Sequence, residues 1–392
     1  MPTRRRLLGA VVGAAATIAG CTDARNGSED GGATPTTLPI MQAPNDKLDD
    51  WSRLYEESDI ENVEFSPNAP IGTFVSQVRQ GDAKDQFALL GHNATNESVI
   101  ADLLQEIDTS RVDDWDSYPD WAFQETGIDG SNRLNYGGEN EGQVLGLPGV
   151  ANADSFIYDE AELGEVNSYG VLFDEQYAGR VALFDNFVQG FTKTGLYLKH
   201  NNMLDIANPG AMTPEEIKRV ADFLIEKKKA GQFRTLWSSQ ETGINLLVSG
   251  EVVAIEGWQS MASLARQRGL ESARYATTDE GYQKFMHTWM IPDGESANQE
   301  EMVDLIYQFF NFLNSGYYGA KIAEKSGFVM PLKQKSLDYI DQNTNEFDDP
   351  EALREEINGT NERLADPNGT WVNWNPKHKD TYVSEWNRFR EA

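Results

Sequence analysis

The chain has 392 residues, 63 acidic against 33 basic, a formal net charge of −30 and a single cysteine. That imbalance excludes nucleic acid and anionic membrane surfaces as partners, and a lone thiol excludes an intramolecular disulfide. Nine Trp, 14 Tyr and 18 Phe exclude a disordered acidic chain, since so much aromatic surface belongs in folded cores.

At the N-terminus, Arg4-Arg5-Arg6, a short apolar run rich in Gly and Ala, and Ile18-Ala19-Gly20-Cys21 have the layout of an export signal with its cleavage point. The segment 3–8 looks like a twin-arginine export motif, with a plain Sec signal as the other reading of the arginines. Ile18–Cys21 resembles a lipobox, which implies cleavage before Cys21 and a lipid on its sulfur. The run is too short for a stable membrane span. Residues 1–20 are therefore read as an export signal and 21–38 as a lipid-anchored flexible tether without apolar periodicity. The mature protein is expected at the extracellular face of the cell membrane. Losing three arginines takes its net charge from −30 to −33. Folded, acidic and poor in lysine is the pattern expected of a haloarchaeal secreted protein. Sequons at Asn93, Asn96, Asn358 and Asn368 are candidate sugar acceptors outside the cell.

Beyond the tether, short apolar runs alternate with amphipathic stretches, which predicts an α/β protein. Strands are predicted at 62–65, 86–90, 144–147, 155–158, 180–184, 252–257 and 288–291. The clearest predicted helix runs from Pro214 to Lys229: Thr213 can cap it, Pro214 suits the first turn, Glu216 completes a capping box, and Lys227-Lys228-Lys229 suits the negative end of the dipole. Further helices are predicted at 299–313 and at 319–325, the last stopping at Gly327. No internal repeat and no second membrane-spanning segment is visible.

Several of these segments, in order, resemble the spermidine/putrescine-binding branch of the extracellular solute-binding proteins that feed ABC importers. They are the strand 86–90 with 103–108, the stretch 171–185, the strand 250–258 ending in a tryptophan, and 306–313 with 320–324 and 327–331. The resemblance implies an α/β, two-lobe, periplasmic-binding-protein-like fold with a ligand cleft between the lobes. It implies 39–150 and 288–331 for lobe one, 151–287 and 332–392 for lobe two, and crossings at 147–151 and 285–291. It also implies a small-molecule ligand, an ABC permease as membrane partner, and a monomer without catalysis, cofactor or metal.

A polyamine site needs aromatic faces for its methylenes and carboxylates for its charged ends. The resemblance puts ligand contacts in the loop after Phe184, where Asp185 is followed by Asn186 and Gln189 at the acidic positions. It puts a stacking indole at Trp258, followed by Gln259. At the second crossing, its tryptophan and aspartate fall on Phe285 and His287. His92 and Asn93 lie on another cleft-edge loop, and Asn135 and Tyr136 precede the first crossing. Two amides and an imidazole thus stand where carboxylates are expected. A buried ammonium without counter-charge costs several kcal/mol, and in strong salt the screening length of about 3 Å prevents distant acids from substituting. These residues therefore favour an uncharged polar solute over a polyamine. The competing reading is an exported hydrolase acting on polysaccharide or peptide through paired carboxylates. Against it stand the missing G-x-S-x-G and H-E-x-x-H motifs and four histidines without metal-ligand spacing. Tyr317-Tyr318 is read as packing rather than as a metal-binding pair.

Overall fold

The computed structural model describes residues 37–42, 46–67, 79–81, 88–92, 103–123, 143–294, 300–372 and 376–392. Cys21, Asn93, Asn135 and Tyr136 lie outside the described residues. The strands are β1 Thr37–Gln42, β2 Asn62–Pro67, β3 Ala88–His92, β4 Leu147–Asp159, β5 Val181–Phe184, β6 Phe233–Trp237, β7 Ala254–Gly257, β8 Ala273–Tyr275, β9 Gln283–Met290 and β10 Thr370–Trp371. They form one mixed sheet in the order β2-β1-β3-β9-β4-β7-β5-β6, with β10 on β9 and β8 on β4. Thr37 and Leu38, which compositional reading leaves in the tether, open strand β1, between β2 and β3, and Leu38 is fully buried.

The long strand β4 is what makes one sheet of two halves. Residues 147–154 pair antiparallel with β9, and 155–159 pair with β7 and β8. The sequence predicts two short strands here, at 144–147 and 155–158, with Pro148 and Gly149 between them. Instead they sit at a bulge, where the register shifts between Pro148 and Ala151. A Cβ on Gly149 would lie 2.8 Å from the His287 carbonyl oxygen, so only glycine lets β4 approach β9 this closely.

Strand alternation explains the cores. In the second half of the sheet, Phe156, Tyr158, Val181, Leu183 and Ala254 face one apolar cluster with Phe191, Leu224, Trp386 and Phe389. Their neighbours Ile157, Ala182 and Ile255 face another with Trp237, Ile244 and Met261. Both faces are covered, so these strands read as continuous apolar runs. The first half packs Leu38, Ile40, Trp51, Trp289, Phe309, Phe310 and Tyr318 into a third cluster. The C-terminal run 332–392 divides between them. Leu332, Ile340, Ile357, Leu364 and Trp371 pack with the first half, and Tyr382, Trp386 and Phe389 with the second.

Local chemistry places the helices. In Pro214–Lys229, Thr213 Oγ1 accepts from the Glu216 amide and Glu216 Oε2 accepts from the Thr213 amide at 2.6 Å, the reciprocal capping box. Ile217, Val220, Ala221, Leu224 and Ile225 form its buried stripe. The helix Gly316–Ser326 ends where Gly327 takes φ +71°, a left-handed cap. Tyr318 within it is fully buried, and its hydroxyl donates to the Asp46 carbonyl at 2.8 Å. That is a packing role.

Candidate functional site: a buried polar layer at the strand ends

In open α/β sheets, ligands meet the carboxyl ends of parallel strands, where side chains of the following loops converge. In the first half, the parallel strands β1 and β3 end at Gln42 and His92, and β9 runs antiparallel past them with His287 paired to His92. Asp46 follows β1 and is fully buried. Its Oδ2 lies 2.8 Å from His287 Nδ1, and its Oδ1 has no hydrogen-bond partner among the described residues. The imidazole is flanked by Phe285, at 5.3 Å between ring centres, and by Phe328, edge-on at 6.0 Å. Gln42, 2 % exposed, has no hydrogen-bond partner for either amide atom among the described residues. Phe328 also lines a cavity of about 180 Å³ between the helix Gln259–Gln267 and the end of Gly316–Ser326.

In the second half, β5, β6 and β7 are parallel and end at Phe184, Trp237 and Gly257. Trp258 follows β7, half-buried, packed against Phe184 edge-on at 5.6 Å and against Trp237 at 5.5 Å. After β5 comes the helix Phe187–His200. Asn186 caps it, its Oδ1 accepting from the amides of Val188 and Gln189 at 3.0 and 3.2 Å. Asp185 accepts from Trp386 Nε1 at 2.9 Å and pairs with Arg390 at 3.2 Å, tying down the C-terminal helix. Gln259 donates to Glu356 at 2.7 Å and accepts from Arg363 at 2.6 Å. These three polar side chains from the sequence-predicted set are thus engaged within the protein.

Gln189 and Lys193, one turn apart on that helix, are buried, and Gln189 Oε1 has no hydrogen-bond partner among the described residues. Lys193 Nζ lies 3.4 Å from Glu256 Oε1 and 3.5 Å from the Gly257 carbonyl oxygen: ion-pair distance, too long for a tight hydrogen bond. Glu256 Oε2 accepts from the Phe184 amide at 3.1 Å. Burial raises the Glu256 carboxyl, with Lys193 pulling against it. Beside it on β4 stands Asp154, 4 % exposed, whose Oδ1 has no hydrogen-bond partner among the described residues. Burial pushes its carboxyl up to about 6. Lys193 opposes that shift, Glu256 adds to it, and Arg363 and His287 lower it. Asp154 pairs with Gln283 on β9, and strand alternation puts Gln283, Phe285 and His287, the last bonded to Asp46, on one face of β9, which links the polar groups of both halves into one layer.

Of the residues singled out from sequence, Gln189, Phe285 and His287 therefore lie in this layer. Trp258 lies directly after Gly257, whose carbonyl meets Lys193. Asp46, Asp154, Lys193, Glu256 and Phe328 were not singled out. Asp154 and Glu256 carried a signal, a carboxylate beside or inside a buried strand run, which has to be paired or protonated. Lys193 and Asp46 carried none, because the first sits on an ordinary helix and the second follows a strand hidden in a tether-like composition. Chemically, among the described residues the layer offers unpartnered acceptor oxygens on Asp46, Asp154, Gln189 and Gln42 beside aromatic rings, with Gln42 Nε2 as an unpartnered donor, an arrangement that takes chiefly hydrogen-bond donors.

The family model described as bacterial extracellular solute-binding protein matches residues 57–354. No curated protein matches the chain. Among solved structures, the chain is similar to the spermidine/putrescine ABC transporter substrate-binding protein of Streptococcus pneumoniae, with TM-score 0.69 and 15 % identity over 91 % of this chain and 99 % of that one. It is similar to the Tp0655 lipoprotein of Treponema pallidum, with TM-score 0.63 and 13 % identity over 91 % and 100 %. It is also similar to the agropinic-acid-bound binding protein of A. tumefaciens, with TM-score 0.60 and 14 % identity over 92 % and 100 %. The fold is thus the two-lobe α/β architecture of periplasmic binding proteins. On a family match spanning both halves of the sheet, the chain belongs to the bacterial extracellular solute-binding proteins.

Proposed function

We propose that this chain is the receptor of an ABC importer, capturing a small amine-bearing polar solute between its lobes outside the cell and delivering it to a membrane permease. The observation that carries this reading is a pair of buried carboxylate oxygens without hydrogen-bond partners among the described residues, Asp46 Oδ1 and Asp154 Oδ1, one from each half of the sheet. A buried unpaired charge costs several kcal/mol, so oxygens held this way favour an occupant that brings N–H donors. Neighbouring structures include proteins named for spermidine/putrescine and for GABA. Sequence alone favours an uncharged solute because the family's acidic positions fall on Asn186, Gln189 and His287. Asp46 beside His287, and Asp154 beside Lys193, supply carboxylates from other positions. The proposal puts residues 332–372 with lobe one and the helix Lys379–Glu391 with lobe two, a division that the packing of the cores supports. The proposal includes cleavage before Cys21, a lipid anchor there, a monomeric receptor and a salt-loving source.

Isothermal titration of the full chain against amines, amino alcohols, sugars and carboxylates tests the reading. The expected result is binding confined to amine-bearing compounds, weakened at least about tenfold by Asp46→Asn. Binding of sugars or carboxylates alone, or an unchanged affinity in Asp46→Asn, overturns it.

A further inference from the structure

We infer that Lys193 sets the charge of the captured solute, admitting one ligand ammonium group by holding its own ammonium where a second would sit. This rests on the reading of the buried layer as the ligand site. The layer holds three carboxylates with almost no solvent exposure: Asp46 from the first half, Asp154 on the crossing strand β4, and Glu256 on β7. A solute with an ammonium at each end would be expected to neutralise carboxylates at both sides of such a layer. Here one side already carries a cation that cannot leave. Lys193 is 2 % exposed, with Nζ 3.4 Å from Glu256 Oε1 and 3.5 Å from the Gly257 carbonyl oxygen, and its charge also acts on Asp154. Arg363, held by Gln259 and Thr360, adds a second positive influence on Asp154.

What remains open is narrow. Among the described residues, Asp46 Oδ2 is taken by His287, leaving Oδ1, and Asp154 Oδ1 has no hydrogen-bond partner. Those two oxygens and Gln189 Oε1 accept hydrogen bonds from one ammonium group and from neutral donors such as hydroxyls. A second ligand ammonium near Asp154 would meet Lys193 as a like charge in a site shielded from water, where repulsion is strong. The loose contacts of Lys193 also matter. An ammonium with three donors and, among the described residues, two long contacts acts as a point charge more than as a rigid strut.

The test compares two ligands of equal length by isothermal titration of the full chain at fixed ionic strength. One is putrescine, and the other is the amino alcohol in which a hydroxyl replaces one of its ammonium groups. Wild type is expected to bind the amino alcohol at least about tenfold more tightly. Lys193→Met is expected to move the ratio at least about tenfold toward putrescine, chiefly by gaining the diamine. If Lys193→Met does not fold, Lys193→Gln removes the same charge while keeping a polar head. A ratio unchanged by either substitution, or a wild type that already prefers putrescine, overturns the inference and leaves the receptor reading standing. Failure of wild type to bind either ligand, or any other amine, overturns both.

Discussion

A single side chain here can be read from its hydrogen bonds as structural or as open to a ligand, and the distinction decides which substitutions inform. Asn186 spends its acceptor on two amides at the start of Phe187–His200. Asn186→Ala is therefore expected to lower stability by about 1 kcal/mol, measured by urea unfolding. A loss of solute affinity with no loss of stability would return Asn186 to the ligand site. Trp258 is a different case, half-buried against Phe184 and Trp237. Alanine there would remove packing as well as any ligand contact, so Trp258→Phe is the cleaner probe because it keeps an aromatic face. Weakened solute binding with an unchanged melting temperature is the expected result. Equal affinity would assign Trp258 to the interior alone.

At the scale of elements, β4 and β9 carry both the fold and the site, since Asp154 lies on one and His287 on the other. Their close approach depends on Gly149, where a Cβ would press on the His287 carbonyl oxygen and on the Trp289 ring. Gly149→Ala is expected to cost roughly 1–3 kcal/mol through overpacking and to weaken solute binding as His287 shifts. Unfolding and titration read the two effects separately, and a variant as stable and as tight-binding as wild type would contradict this account of the bulge. The helix Pro214–Lys229 is legible from sequence end to end, because its cap, its apolar stripe and its basic last turn are all local. β4 is not. A proline and a glycine in mid-strand look like a break unless the partner strand is known to leave room for a bulge.

For the whole molecule, proton linkage and net charge act together. The Asp154 carboxyl stands at about 6 in the folded protein against an ordinary 3.8, raised by burial. The native state therefore holds this proton more tightly than the unfolded chain. The resulting stability is fully present below the ordinary value and is lost as pH rises through the folded one, on the order of 3 kcal/mol for a shift of this size. An ammonium ligand needs the ionised form, so its affinity should rise over the same window. The stability of Asp154→Asn relative to ligand-free wild type should therefore increase between about pH 4 and pH 7. Thermal melts across pH check this, and a gap that stays constant would remove Asp154 from the linkage. A net charge of −30 makes the compact state self-repelling. The melting temperature is expected to rise between about 0.1 M and 1 M salt, as the screening length falls from about 10 Å to 3 Å. A flat or falling curve would argue against a salt-loving origin.

By itself the sequence determined the class of the fold, most of its strands, the capped helix and the order of segments that marks the family. These follow from periodicity and caps, which involve residues a few positions apart. Only the tertiary structure decided the site's inventory. Asp46 meets His287 across 241 positions of chain, and Lys193 meets Glu256 across 63. Whether a carboxylate faces a ligand, a helix end or a lysine depends on which distant strand ends fold to the same place. No local pattern encodes that, because burial and pairing are properties of the packed chain.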